Sequence, residues 1–202
     1  MSHAPLLATH LIGALLLGAA VVALWIADAR IRRARDCGTI ARAGRRAGWV
    51  AQRVLMPGVA LLAITGVWLV ASYYGGWSFV RIPWLAGMAA IFVFQSAWAR
   101  AVTHPHAAHM RSLLAGTRDA DPVTPALERA RRKPLVRFGQ QFEPALFVLA
   151  VALGLLRPMH WTSVVTGAIA AALVAAALAF YAARPPAFNS FNRDSVEAEG
   201  SR

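Results

Sequence analysis

Residues 5–27 read PLLATHLIGALLLGAAVVALWIA, 23 residues without a charged side chain. As an α-helix this stretch is about 34 Å long, enough to cross a hydrocarbon layer of about 30 Å. It is too long and too uniformly apolar for a soluble helix, which buries only one stripe. Arg30, Arg32, Arg33 and Arg35 follow at once, so the run also sets the direction in which the chain enters the membrane. Lipid does not account for His10 inside it.

The whole chain carries the same signature. Of 202 residues, 58% are hydrophobic and 15% charged, and the mean hydropathy is +0.50. A soluble domain of this size has about 25% charged residues. The net charge of +12 does not make a nucleic-acid face, because the arginines stand between apolar runs. The single cysteine, Cys37, excludes an intrachain disulfide and any CxxC metal or redox site. Ala27-Asp28-Ala29 has the small-x-small form of a signal cleavage site, but no basic segment precedes the run and it exceeds an ordinary signal core, so it reads as retained.

Five spans are expected, at about 5–27, 54–74, 84–102, 136–156 and 162–182, in one bundle over residues 1–183 with a polar cytoplasmic tail at 184–202. Pro57 falls in the first turn or so of the second span, and Tyr73, Tyr74 and Trp77 suit the interfacial aromatic belt. Between the third and fourth spans runs a long loop in which Thr124-Pro125-Ala126-Leu127-Glu128 has the residue types of a short helix start. The fourth span is short in strictly apolar residues, and reaching membrane length brings in Arg137, Gln140, Gln141 and Glu143. In the fifth, the Gly167/Ala171/Ala175 spacing allows close approach to a neighbour. Nineteen of the 21 Lys and Arg fall in the first and third connections, their flanking helix ends and the tail, leaving Arg81 and Arg157 on the other side. The positive-inside rule then places the N-terminus outside and the C-terminus in the cytoplasm.

Three sets of side chains carry candidate chemistry. His10, about 8 Å below the outer surface, is either a ligand or proton carrier or a histidine bonded to a neighbouring helix. At the same end lie His3, Met88, Met159 and His160. With His10, the last three form a candidate copper set of imidazole and thioether donors, against which stands ordinary packing of methionine. Near the inner end, Glu143-Pro144 with Gln140 and Gln141 needs partners within the bundle. The carboxylate either pairs with Arg53 or Arg100, close to Arg137, or carries a proton. His104, His106 and His109 read as a solvated interfacial cluster. The arginine loops suit anionic lipid headgroups. No phosphate-binding glycine loop, nucleophile elbow or catalytic triad spacing occurs in the sequence.

Taken in order, Leu7-Ala8-Thr9-His10-Leu11-Ile12-Gly13, Met56-Pro57-Gly58, Thr65-Gly66-Val67-Trp68-Leu69, Pro83-Trp84-Leu85, Arg137, Glu143-Pro144 and Arg157-Pro158 resemble the pattern of a group of small bacterial membrane proteins. The chain is similar to the family called domain of unknown function 2269, in a wider group with CopD-type copper-resistance proteins and the HemJ-type protoporphyrinogen oxidase. The resemblance implies a four-helix unit over residues 6 to 158, with His10 at the position implicated in haem b binding in the HemJ type. Where that type has a His-Ala-Lys step, this chain has Ala86, Gly87 and Met88.

The expectation is an all-α polytopic membrane bundle of four antiparallel transmembrane helices plus a fifth, in a bacterial inner membrane. Its leading role is a non-enzymatic accessory or carrier protein with a polar pocket near His10, acting in a larger membrane complex or homo-oligomer and not on nucleic acid. A haem b redox protein of the HemJ type and a copper-handling protein of the CopD type are the alternatives.

Overall fold

The computed structural model describes residues 3–181, with only the backbone of His3, and every regular element among them is helical. The tail expected from residue 184, and Ala182 at the end of the expected fifth span, lie outside the described residues. Five helices are long and apolar enough to cross a membrane: Ala4–Arg33, Cys37–Tyr73, Pro83–Leu114, Pro134–Leu156 and Trp161–Tyr181. They cover the five apolar runs to within a residue at the C-terminal ends, Tyr74 being the C-cap of the second, and most extend past them elsewhere, since Ala, Arg, Leu and Gln continue an established helix at little cost.

The first is α1 (His3–Arg33). The second comprises α2 (Cys37–Val50), a π-turn over Ala51–Leu55 and α3 (Met56–Tyr73). The third repeats that plan, with α4 (Pro83–Trp98), a π-turn over Ala99–Thr103 and α5 (His104–Leu114). In each case a proline, Pro57 or Pro105, stands two residues beyond the π-turn. Its ring offers no N–H and presses on the carbonyl four residues back, that of Arg53 or Ala101, and widening the turn relieves the clash.

Between α3 and α4, Gly75 takes the left-handed conformation (φ 68°) and a 3-10 turn over Gly76–Arg81 leads into Pro83. After the short α6 (Pro125–Arg131), whose start is capped by Thr124 Oγ1 accepting from the Leu127 N–H at 3.3 Å, come α7 (Pro134–Leu156) and α8 (Trp161–Tyr181). α7 ends at Arg157, also left-handed (φ 48°), whose guanidinium sits 5.5 Å from the centre of the Trp84 ring on α4.

α7 is the hub, packing on α1, α4 and α8, while α3 leans mainly on α1. Trp98 of α4 fills the notch at Gly139 of α7, where a Cβ would come within 2.6 Å of the indole nitrogen. Leu149 of α7 fills the equivalent notch at Gly167 of α8, with Ala171 and Ala175 buried on that helix. At the α1–α3 seam the glycines meet the backbone of the facing helix as well as its side chains. A Cβ on Gly58 would lie 3.1 Å from the Leu17 amide nitrogen, and one on Gly13 3.2 Å from that of Leu62. Such small-residue contacts are what lets helices associate in lipid, where burial of apolar surface gives no drive.

At the basic end the chain forms a small helical cap where the sequence reads as arginine loops. Ala34, Cys37, Ile40, Met110, Leu127 and Ala130 from α1, α2, α5 and α6 and their junctions share one core. Asp36 Oδ1 caps α2 by accepting from the Thr39 N–H at 2.7 Å. The Cys37 and Gly38 amides donate to Asp121 and Asp119 carbonyls at 2.9 Å each, and Arg131 Nη1 donates to the Ile31 and Ala34 carbonyls at 3.1 and 2.9 Å. Glu128 binds both Arg131 and Arg132. Partial burial raises its carboxyl pKa, but the two arginines outweigh that and hold it below the usual carboxylate value.

Gly58→Leu is expected to force α1 from α3 and cost about 1–3 kcal/mol, read as a lower thermal unfolding midpoint in detergent. Gly44→Ala, which meets nothing within 4 Å, is expected to leave the midpoint unchanged or raise it.

Candidate functional site

The close seam brings His10 of α1 onto Thr65 of α3. His10 Nδ1 lies 2.9 Å from Thr65 Oγ1, and Thr65 Oγ1 lies 2.5 Å from the Leu61 carbonyl. A hydroxyl has one proton, and the carbonyl can only accept it, so Thr65 donates to Leu61 and accepts from His10. Nδ1 therefore carries a proton, and in the neutral ring this is the Nδ1–H tautomer, with the Nε2 lone pair left for another group. Gly66 lies against the ring, where a Cβ would stand in ordinary contact at 3.4 Å from His10 Cε1. Thr65 is buried and His10 half-buried.

The other donors of the candidate copper set fall elsewhere. Met88 belongs to the core shared by α4, α7 and α8, with its sulfur against Gly154. Met159 and His160 are exposed in the connection after α7. Among the described residues no group of three or more His, Cys, Asp or Glu is placed to hold a metal ion.

A second polar layer crosses the bundle toward its basic end, around the proline of α7. Trp25 Nε1 donates to Gln141 Oε1 at 3.2 Å, and Arg32, paired with Asp28, donates to Gln140 Oε1 at 2.9 Å. Gln95 Nε2 donates to the Glu143 carbonyl and Thr103 Oγ1 to the Glu143 carboxylate, each at 2.9 Å. Arg53 and Arg100, the arginines weighed as partners for Glu143, are exposed within the two π-turns. Asp28, Asp36, Asp119 and Glu128 form ion pairs with arginines. Arg137 lies half-buried at the start of α7. His104 and His109 are exposed on α5, and His106 is half-buried with its Nδ1 unpartnered among the described residues.

His10 and Glu143 thus mark two separate polar layers joined by α7 and α1. The family model for DUF2269, a predicted integral membrane protein, matches residues 5–158, from the start of α1 through the end of α7. The chain belongs to this family. The DUF2269 match takes in His10, Thr65 and Glu143 and leaves α8 outside. No curated protein and no solved structure matches the chain.

Sequence reasoning singled out His10 and Glu143 but not their pairing, with Thr65 entering only as part of the family pattern and Gln95 and Thr103 not at all. Thr65, Gln95 and Thr103 are ordinary polar residues, and only their position inside or beside apolar runs signals that they need a bond within the bundle. Thr65→Val is expected to lower the unfolding midpoint by the equivalent of about 0.6–1.7 kcal/mol, because His10 Nδ1 then loses its acceptor, while Thr65→Ser is expected to recover most of the loss. Equal midpoints for the two variants would show that the hydroxyl holds nothing.

Proposed function

We propose that this DUF2269 protein is a non-enzymatic accessory or carrier protein of a bacterial cytoplasmic membrane, with His10 as its working group. The bundle is read as four antiparallel helices of the CopD/HemJ type plus a fifth, N-terminus outside and C-terminus in the cytoplasm. The observation that carries the reading is the His10–Thr65–Leu61 chain. It orients the ring, and in the neutral imidazole this leaves one lone pair for a ligand, a proton or a partner's donor in the half of the bundle that holds few charges.

Of the two cofactor readings, copper has the less support, because Met88 packs with α4, α7 and α8 and Met159 and His160 are exposed after α7, while His10 bonds to α3. For haem, Nε2 is a suitable axial donor and the Thr65 bond orients the ring as a supporting partner does. The contacts that hold the ring come from Thr65 and Gly66 of the α1–α3 seam. The accessory or carrier role needs only the lone pair.

A reduced-minus-oxidised absorption spectrum of the purified protein, with metal analysis of the same sample, decides among these. The expected outcome is no Soret band, no stoichiometric copper and a folded His10→Ala variant. A b-type spectrum or stoichiometric copper that His10→Ala abolishes would replace the proposal with the corresponding cofactor protein.

Orientation is tested by cysteine labelling in intact cells. The native Cys37 is 1% exposed and gives a low background. Ser78→Cys, in the turn between α3 and α4, is expected to react with a membrane-impermeant maleimide in intact cells, and Ala120→Cys only after permeabilisation. The reverse pattern would invert the topology.

A further inference from the structure

Two adjoining cavities run between α1 and α2 at the basic end, and their lining changes character along their length. One, of about 300 Å³, is walled by Arg30, Arg33, Arg42 and Arg46 with Thr39 and small residues. The other, of about 230 Å³, shares Arg30, Ala43 and Arg46 with it and continues over Ala23, Ile26, Ala27 and Val50. The apolar part follows α1 back toward its uncharged run and α2 on toward α3. Charge at one end and hydrocarbon at the other is the order in which a phospholipid is built.

The arginines differ in how far they are already committed. Arg42 is held by Asp119 at 3.4 Å and Asp36 at 3.9 Å. Arg30, Arg33 and Arg46 have no acidic partner among the described residues. Trp49, 62% exposed on α2, stands beside this wall, where an amphipathic indole marks headgroup depth.

We infer that the α1–α2 groove is a binding site for one anionic phospholipid, its phosphate held by Arg30, Arg33 and Arg46 and an acyl chain lying along Ala23, Ile26, Ala27 and Val50. The site rests on membrane embedding alone. Only the leaflet that supplies the lipid depends on the orientation proposed above, so an inverted topology moves the site to the other leaflet without abolishing it. A free phosphate offers the same anion but no use for the apolar half of the groove. Three arginines lining one pocket favour an anionic over a zwitterionic headgroup by roughly fivefold each, on the order of a hundredfold together.

The test is native mass spectrometry of the full-length detergent-purified protein titrated with dioleoylphosphatidylglycerol, dioleoylphosphatidylcholine or water-soluble glycerol phosphate. The expected result is one phosphatidylglycerol retained in strong preference to phosphatidylcholine, with glycerol phosphate failing to compete. Arg30→Gln/Arg33→Gln/Arg46→Gln is expected to lose that preference, and Arg35→Gln/Arg45→Gln/Arg118→Gln, with the same change in charge outside the groove, to keep it. Ala47→Phe leaves every charge in place and fills the lower cavity, and is expected to weaken retention at least tenfold, which separates a lipid from a bare anion should the triple variant not fold. Equal retention of both lipids, equal loss in both triple variants, competition by glycerol phosphate, or full retention by Ala47→Phe would each overturn the assignment.

Discussion

The approach of α1 to α3 through Gly13 and Gly58 is the constraint on which the charge-poor half of the bundle depends. Backbone atoms of each helix come into contact distance of the other's glycine there, beside the Leu16 and Leu62 side chains. Contacts fall along α1 as they climb along α3, from Leu17 on Gly58 to His10 on Thr65. A larger residue at either glycine would hold the helices apart and leave His10 Nδ1 and the Thr65 hydroxyl facing lipid or each other across a gap. In hydrocarbon an imidazole N–H without an acceptor is costly, so the seam and the histidine require one another.

The opposite half is organised by α7 and by a different device. Pro144 removes one helical donor, and the polar residues around it are satisfied sideways, by Trp25 and Arg32 of α1, Gln95 of α4 and Thr103 in the π-turn after it. Beyond this layer the chain builds a water-facing cap with its own apolar core, braced by Arg131 on the end of α1. The molecule therefore grades from a seam with a single polar pair, through a polar belt, to an arginine-rich cap. The α1–α2 groove lies where belt and cap meet.

The five membrane-length helices were legible because runs such as residues 5–27 leave a soluble fold no polar face to show. The short helix after Thr124 was legible from its cap and proline. Hidden from sequence was the cap, because Cys37, Ile40 and Ala43 recur at helical spacing among arginines that dominate the composition. The π-turns were hidden as well, since Pro57 and Pro105 announce a disturbance but not how the preceding turn absorbs it. At the candidate site, a histidine in an apolar run identified itself. Its partner lies 55 residues away on another helix, and pairing of that kind is a property of helix register, which periodicity alone does not set.

The central claim is that Thr65 holds His10 in one neutral tautomer with Nε2 unprotonated. The direct measurement is a ¹⁵N NMR spectrum of ring-labelled histidine in the bilayer-reconstituted protein at neutral pH, with the His10 signals assigned by their loss in His10→Ala. The account predicts a protonated Nδ1 and a bare Nε2, and a Thr65→Val protein in which that assignment is lost. A protonated Nε2 with bare Nδ1, or an imidazolium, would contradict it.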